Sequence, residues 1–241
     1  MSGAERTAIV TGAGKRVGAE LARALLIDGW RVVAHVHHED DAVPEGAVRV
    51  VADLVQPNCG AAIIAAAGAA PELLVNNAAR FASDGFGSFS AGEFDSHMAV
   101  NVRAPAVLIE SFARVAPRGS LIVNLLDAKL AAPNPDFLSY TLSKQALAGL
   151  TELAARALAG RGIRVNAIAP ALMLPSGAQG KANFAAVHSL NALGLGIEPG
   201  DVVRALRYLV DARTTTGEVM TIDGGQRFLQ LNRDVQYLET K

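Results

Sequence analysis

The sequence predicts a single α/β domain built on a doubly wound parallel sheet with helices on both faces. Three observations predict it. Short apolar runs rich in valine, isoleucine and leucine alternate along the chain with longer runs of helical apolar spacing, as a parallel sheet and its crossover helices do. No Pro/Ser-rich linker, internal repeat or low-complexity tract divides the 241 residues, and 51% of them are hydrophobic, enough for one large core. The first apolar run leads into a glycine-rich turn that opens a helix, where main-chain N–H groups and the helix N-terminus can receive a pyrophosphate.

Thr7-Ala8-Ile9-Val10 is the first strand, and Gly12, Gly14, Lys15, Arg16, Val17 and Gly18 form the candidate pyrophosphate turn. Leu21, Ala22, Leu25 and Leu26 keep helical spacing until Gly29 stops it. Arg31 to Val36 is the second strand, with Ala34 and His35 at its end, where a dinucleotide fold meets the adenosine ribose. No acidic residue ends that strand and Lys15 could reach a 2′-phosphate, so charge complementarity favours NADP(H). Glu39, Asp40 and Asp41 would oppose a phosphate if they turned inward, which keeps NAD(H) open. The cluster from His35 to Asp40 reads as a solvated loop and no metal site is expected, because alternate strand residues face opposite ways.

Val48 to Ala52 is a third strand ending at Asp53-Leu54, where Asp53 either accepts from the adenine amino group or caps a turn. Cys59, the single cysteine, reads as a small residue at a helix start. Leu73-Leu74-Val75 closes on Asn76-Asn77-Ala78-Ala79, small and amide residues that suit a backbone packed against a cofactor. In the loop from Arg80 to Ser90, Phe86 and Phe89 are expected to pack in the core or under a lid, and Phe81 to stack on a planar substrate.

Ser90 and Glu93 have capping-box spacing, and the helix they open carries Asn101. Leu121 to Leu125 is a buried strand with Asp127 just past its end. Tyr140 and Lys144 share a helix face at i and i+4. The lysine is expected to lower the phenol's pKa, making Tyr140 an acid/base near neutral pH. Arg164 to Ile168 and Val219 to Ile222 are the last strands, with a helix from Asp201 to Val210 between them. Residues 171–190, with Leu172, Leu174, Pro175 and Gly177, suit a lid over an apolar substrate, whereas the tail 226–241 is too mixed to read: it finishes a neighbouring subunit's pocket or frays.

A formal charge of −1 gives no support for a nucleic-acid or anionic-membrane partner. The segment Met1 to Arg6 has no signal-peptide layout and the run Ala61 to Ala70 is too short to span a bilayer, so a cytoplasmic protein is expected.

Nearly the whole chain resembles the short-chain dehydrogenase/reductase family. The matching features are Thr11-Gly12 with Gly18, Asp53, Asn76-Asn77-Ala78, Asn101, Tyr140 with Lys144, Asn166 with Pro170, and Asp223-Gly224-Gly225. The resemblance implies a Rossmann-type fold, Tyr140 as the acid/base, Lys144 on the nicotinamide ribose, Asn101 anchoring a water relay, and cofactor contacts that include Leu54, Ala79, Pro170 and Leu172. Arg16 where most members have glycine, and Asp127 where most have serine, resemble the pteridine reductase branch, as do Phe81 and the strand end His35-Val36-His37. That branch implies NADPH and a pterin-like substrate held by Arg16, Phe81, Asp127, Tyr140 and Leu174. A carbonyl or alcohol dehydrogenase is the competing reading, and a cofactor-binding sensor without catalysis is a third. Members are commonly homotetramers, and Ala146, Ala154 and Ala157 would allow close packing of the tyrosine helix.

Overall fold

The computed structural model describes residues 6–68, 70–176 and 179–238. Met1 to Glu5, Ala69, Gly177, Ala178 and the last three residues of the tail therefore lie outside the described residues. The elements run β1 (Thr7–Val10), α1 (Arg16–Ile27), β2 (Arg31–Val36), β3 (Val48–Val51), α2 (Cys59–Ala66), β4 (Leu73–Asn76), α3 (Ala91–Met98), α4 (Ala104–Val115), β5 (Leu121–Leu125), α5 (Leu138–Leu158), β6 (Arg164–Pro170), α6 (Lys181–Val187), α7 (Pro199–Asp211) and β7 (Val219–Ile222).

All the strands pair in parallel, in the order β3-β2-β1-β4-β5-β6-β7. Such a sheet is covered on both faces, so its strands are apolar on both sides. Ala8, Val10, Leu73, Val75, Leu121 and Val123 face one core with α1 and α7. The residues between them, Ile9, Leu74 and Ile122, face the other with α2, α4 and α5. The direction of crossover reverses between β1 and β4, which opens a crevice outside the strands' carboxyl ends. Thr11 and Asn77 lock that point: the Thr11 hydroxyl accepts from the N–H groups of Asn77 and Ala78, both at 3.0 Å, and the Asn77 amide donates to the carbonyls of Thr11 and Gly12.

Several details depart from the sequence reading. The last helix begins at Pro199, because proline's fixed φ and missing N–H are tolerated in a first turn. Ser90 caps α3 through Glu93 N–H, but the Glu93 carboxylate pairs with Arg80 instead of returning to the cap. Asn101 lies in a π-helical turn, Ala99–Arg103, that joins α3 to α4. Phe86 and Phe89 are 86% and 51% exposed, on a loop that crosses the surface instead of entering the core. Ala154 is buried in the chain's own core, so it is not available to a neighbouring subunit, whereas Leu142 and Leu153 of α5 are exposed. Cys59 does begin a helix, and burial pushes its thiol pKa up. Among the described residues, no helix is long and apolar enough to cross a membrane.

Candidate active site

A cleft of about 890 Å³ opens at the switch point. Every residue expected to hold the cofactor or the substrate lines it; of the expected catalytic residues, Asn101 alone does not.

The glycine turn forms the floor. Gly12 has φ +64°, and a Cβ on Gly18 would lie 2.1 Å from the Gly12 carbonyl oxygen, so turn and helix can close only on glycine there. Arg16 takes φ +52°, a left-handed conformation that a glycine would adopt without strain. Its guanidinium donates to the Pro175 carbonyl at 2.7 Å and the Leu174 carbonyl at 3.4 Å, tying the turn to the segment after β6. The first N–H groups of α1 have no intrahelical partners and face this cradle, which suits a pyrophosphate. His35 is a brace here: its Nδ1 accepts from Gly12 N–H at 3.2 Å and its Nε2–H donates to the Ala52 carbonyl at 2.9 Å. Burial lowers its pKa, in keeping with a neutral ring.

Beside the end of β2, Lys15, His37 and His38 reach the cleft, and Asp41 lines it with them. The Asp41 carboxylate accepts from His38 N–H at 2.9 Å and His37 N–H at 3.2 Å, which holds its pKa below the usual range. Asp53 takes the capping role, accepting from Val55 N–H at 2.9 Å, with His37 Nε2 3.8 Å away.

Beside α5, the Tyr140 hydroxyl donates to Asp127 Oδ2 at 2.9 Å. Asp127 Oδ1 accepts from Lys129 N–H at 2.9 Å. Lys144 Nζ donates to the Leu125 carbonyl at 2.6 Å and lies 5.7 Å from the Tyr140 ring centre. The expectation of a lowered tyrosine pKa fails: burial, then the Asp127 charge, raise it well above its ordinary value. Burial also raises Asp127 and lowers Lys144 to about 8. Tyr140 is thus held as the protonated phenol, a donor.

The Asn101 side chain turns away from the cleft. Its carbonyl accepts from Arg80 N–H at 2.7 Å and its amide donates to the Arg80 carbonyl and the Ser143 hydroxyl, bracing the loop after β4 against α5. Phe81 meets Tyr140 edge-on at 4.7 Å and stacks on Phe137 at 4.5 Å. Among the described residues of the tail, Arg233, Asp234, Val235 and Gln236 dock as a wall of the same chain's cleft. Sequence reading missed these residues and Lys129, because no local pattern marks a segment that docks by isolated ion pairs.

A family model described as enoyl-(acyl carrier protein) reductase matches residues 12–227. L-xylulose reductase of Homo sapiens is 33% identical over 238 residues, covering 92% of this chain and 96% of that protein. Pteridine reductase 1 of Leishmania tarentolae is 32% identical over 219 residues, covering 68% and 75%. The crystal structure of FolM alternative dihydrofolate reductase 1 from Brucella canis, complexed with NADP, superposes with a TM-score of 0.85 at 33% identity, covering 93% of this chain and 95% of that one.

Proposed function

The chain belongs to the short-chain dehydrogenase/reductase family of oxidoreductases, and we propose that within it the protein is an NADPH-dependent reductase of a pterin-like, dihydropteridine ring. The observation that carries this reading is the hydrogen bond from the Tyr140 hydroxyl to the Asp127 carboxylate. A serine at that place would donate to a carbonyl oxygen, whereas a carboxylate beside a phenol suits a heterocycle with ring nitrogens and an amino group. The FolM neighbour and the Leishmania relative support the same substrate class.

The glycine turn with Lys15 and Arg16 would hold NADPH, which would supply a hydride for a ring carbon. Tyr140 gives its proton to the adjacent ring nitrogen, Asp127 holds the phenol in place by accepting its hydrogen bond, and Lys144 offsets the negative charge left on the phenolate until a proton from solvent restores it. Phe81, already edge-on to Tyr140, stacks on the ring, and Arg16 holds turn and lid together above it. Lys15 and His37 favour the 2′-phosphate, and the inward Asp41 carboxylate is occupied by two N–H groups.

A second reading, a carbonyl or alcohol reductase, is favoured by the L-xylulose reductase match, which spans more of this chain than the pteridine reductase match. The test is NADPH oxidation at the nicotinamide absorbance with dihydrobiopterin or dihydrofolate against a panel of aldehydes, ketones and quinones, with NADH in parallel. Pterin turnover lost in Asp127→Ala supports the proposal; carbonyl turnover alone sinks it. We also infer a cytoplasmic homotetramer joined through the exposed face of α5 with Leu142 and Leu153. Light scattering at the monomer mass of 25.0 kDa would overturn that assembly.

A further inference from the structure

The C-terminal segment 231–238 docks onto the turn that holds Asp127. Lys129 gives its backbone N–H to Asp127 Oδ1, while its side chain, 9% exposed, runs the other way. There Nζ donates to the Asp136 carbonyl at 2.5 Å and to Asp234 Oδ2 at 3.3 Å. Asp234 is fixed on both sides, its own N–H donating to Asp136 Oδ2 at 2.7 Å and its Oδ1 accepting from Gln236 N–H at 3.1 Å. Arg233 pairs with Asp136 at 2.8 Å, and Tyr237 stacks on Phe137 and hydrogen-bonds Ser83 at 3.0 Å. One residue, Lys129, therefore touches Asp127 through its main chain and the tail through its ammonium.

We propose that Asp234 and Lys129 are positioning residues for Asp127: their ion pair docks the tail as a wall of the chain's own pocket, and the balance of their charges sets how firmly Asp127 holds its proton. This rests on the reading of Asp127 as the partner of Tyr140 in proton transfer. Facing Asp127 are Tyr140 and Lys144 from α5, the Lys129 backbone N–H from its own turn and Asp234 from the tail, with the Lys129 ammonium turned to Asp234. Arg233 is held off on Asp136, and Arg16 is committed to the lid carbonyls. A carboxylate at Asp234 disfavours ionisation of Asp127 and of Tyr140, and both feel its charge. Lys129 compensates it at close range.

The two partners then act in opposite senses. Asp234→Asn removes the like charge and lowers the pH at which Asp127 titrates by about half a unit or more. Lys129→Met leaves Asp234 uncompensated and moves that titration upward. A merely structural pair would lose stability in both variants without opposite shifts. The experiment is a carboxyl-carbon NMR titration of cofactor-free protein labelled at aspartate, assigned with Asp127→Asn, alongside the pH profile of kcat/KM for dihydrobiopterin. Opposite displacements of the Asp127 titration support the proposal; no displacement, or displacement in one sense by both variants, overturns it. The titration needs no substrate, so opposite shifts without pterin turnover would sink the proposed substrate and leave this inference standing.

Discussion

Tyr140 and Asp127 lie 13 positions apart in sequence and 2.9 Å apart across the cleft, phenol to carboxylate, and burial raises the pKa of both. A buried donor–acceptor pair of this kind favours retaining one proton between them, and both groups line the cleft.

Tyr140→Phe keeps the ring's edge-on contact with Phe81 and removes the donor. Turnover is expected to fall by about 10²–10⁴-fold, the usual worth of a positioned acid, with little change in NADPH affinity measured by fluorescence titration. Loss of binding in step with turnover would make Tyr140 a scaffold residue.

Asp127→Ser separates the two readings of the site. A pterin reductase loses activity on dihydrobiopterin because the carboxylate acceptor has gone; a carbonyl reductase keeps or gains activity on aldehydes and ketones. Parallel steady-state assays with both substrate classes give the answer.

Lys144 carries a pH signature. Its folded-state pKa is lowered from 10.5 to about 8 because burial disfavours the ammonium. The unfolded chain therefore binds more protons than the folded one between about pH 8 and 10.5, and this residue's contribution to stability becomes more favourable as pH rises through that window. Lys144→Met should raise the melting temperature at pH 7, by an amount that shrinks at pH 9. In the wild type, kcat/KM for reduction should decline above about pH 8 as the ammonium is lost. A melting-temperature difference that grows with pH would contradict the assignment.

Gly18→Ala puts a methyl where the Gly12 carbonyl oxygen already lies, 2.1 Å away. Turn and helix must part, at a cost of about 1–3 kcal/mol or more for overpacking. Urea denaturation should show the loss, and NADPH affinity should fall with it.

Arg16→Gly relieves the left-handed backbone and cuts the bonds to Pro175 and Leu174. Relief of strain offsets the greater freedom of the unfolded chain, so stability should stay within about 1 kcal/mol. KM for the substrate should rise as the segment after β6 loosens. A large stability change with unaltered KM would show that Arg16 serves the fold and not the pocket.

By itself the sequence determined the strands, the glycine turn and the helix that aligns Tyr140 with Lys144. These are short-range properties: β2, β5 and β7 match their apolar runs residue for residue because strand and helix periodicity is written in neighbouring side chains. The i, i+4 spacing is enough to put Tyr140 and Lys144 on one face. Only the tertiary structure decided what surrounds that face. The expected fall in the tyrosine's pKa turned into a rise because burial and Asp127 outweigh the lysine. The Asn101 side chain turned from the cleft to Arg80 and Ser143, and the cap of α5 came from Asp84, a residue of the distant loop after β4. Phe86 and Phe89 stayed at the surface, while the tail closed on its own pocket through Lys129 and Asp234, 105 positions apart. Burial, charge balance and long-range pairing depend on which distant segments meet, and that is established only when the sheet has brought them together.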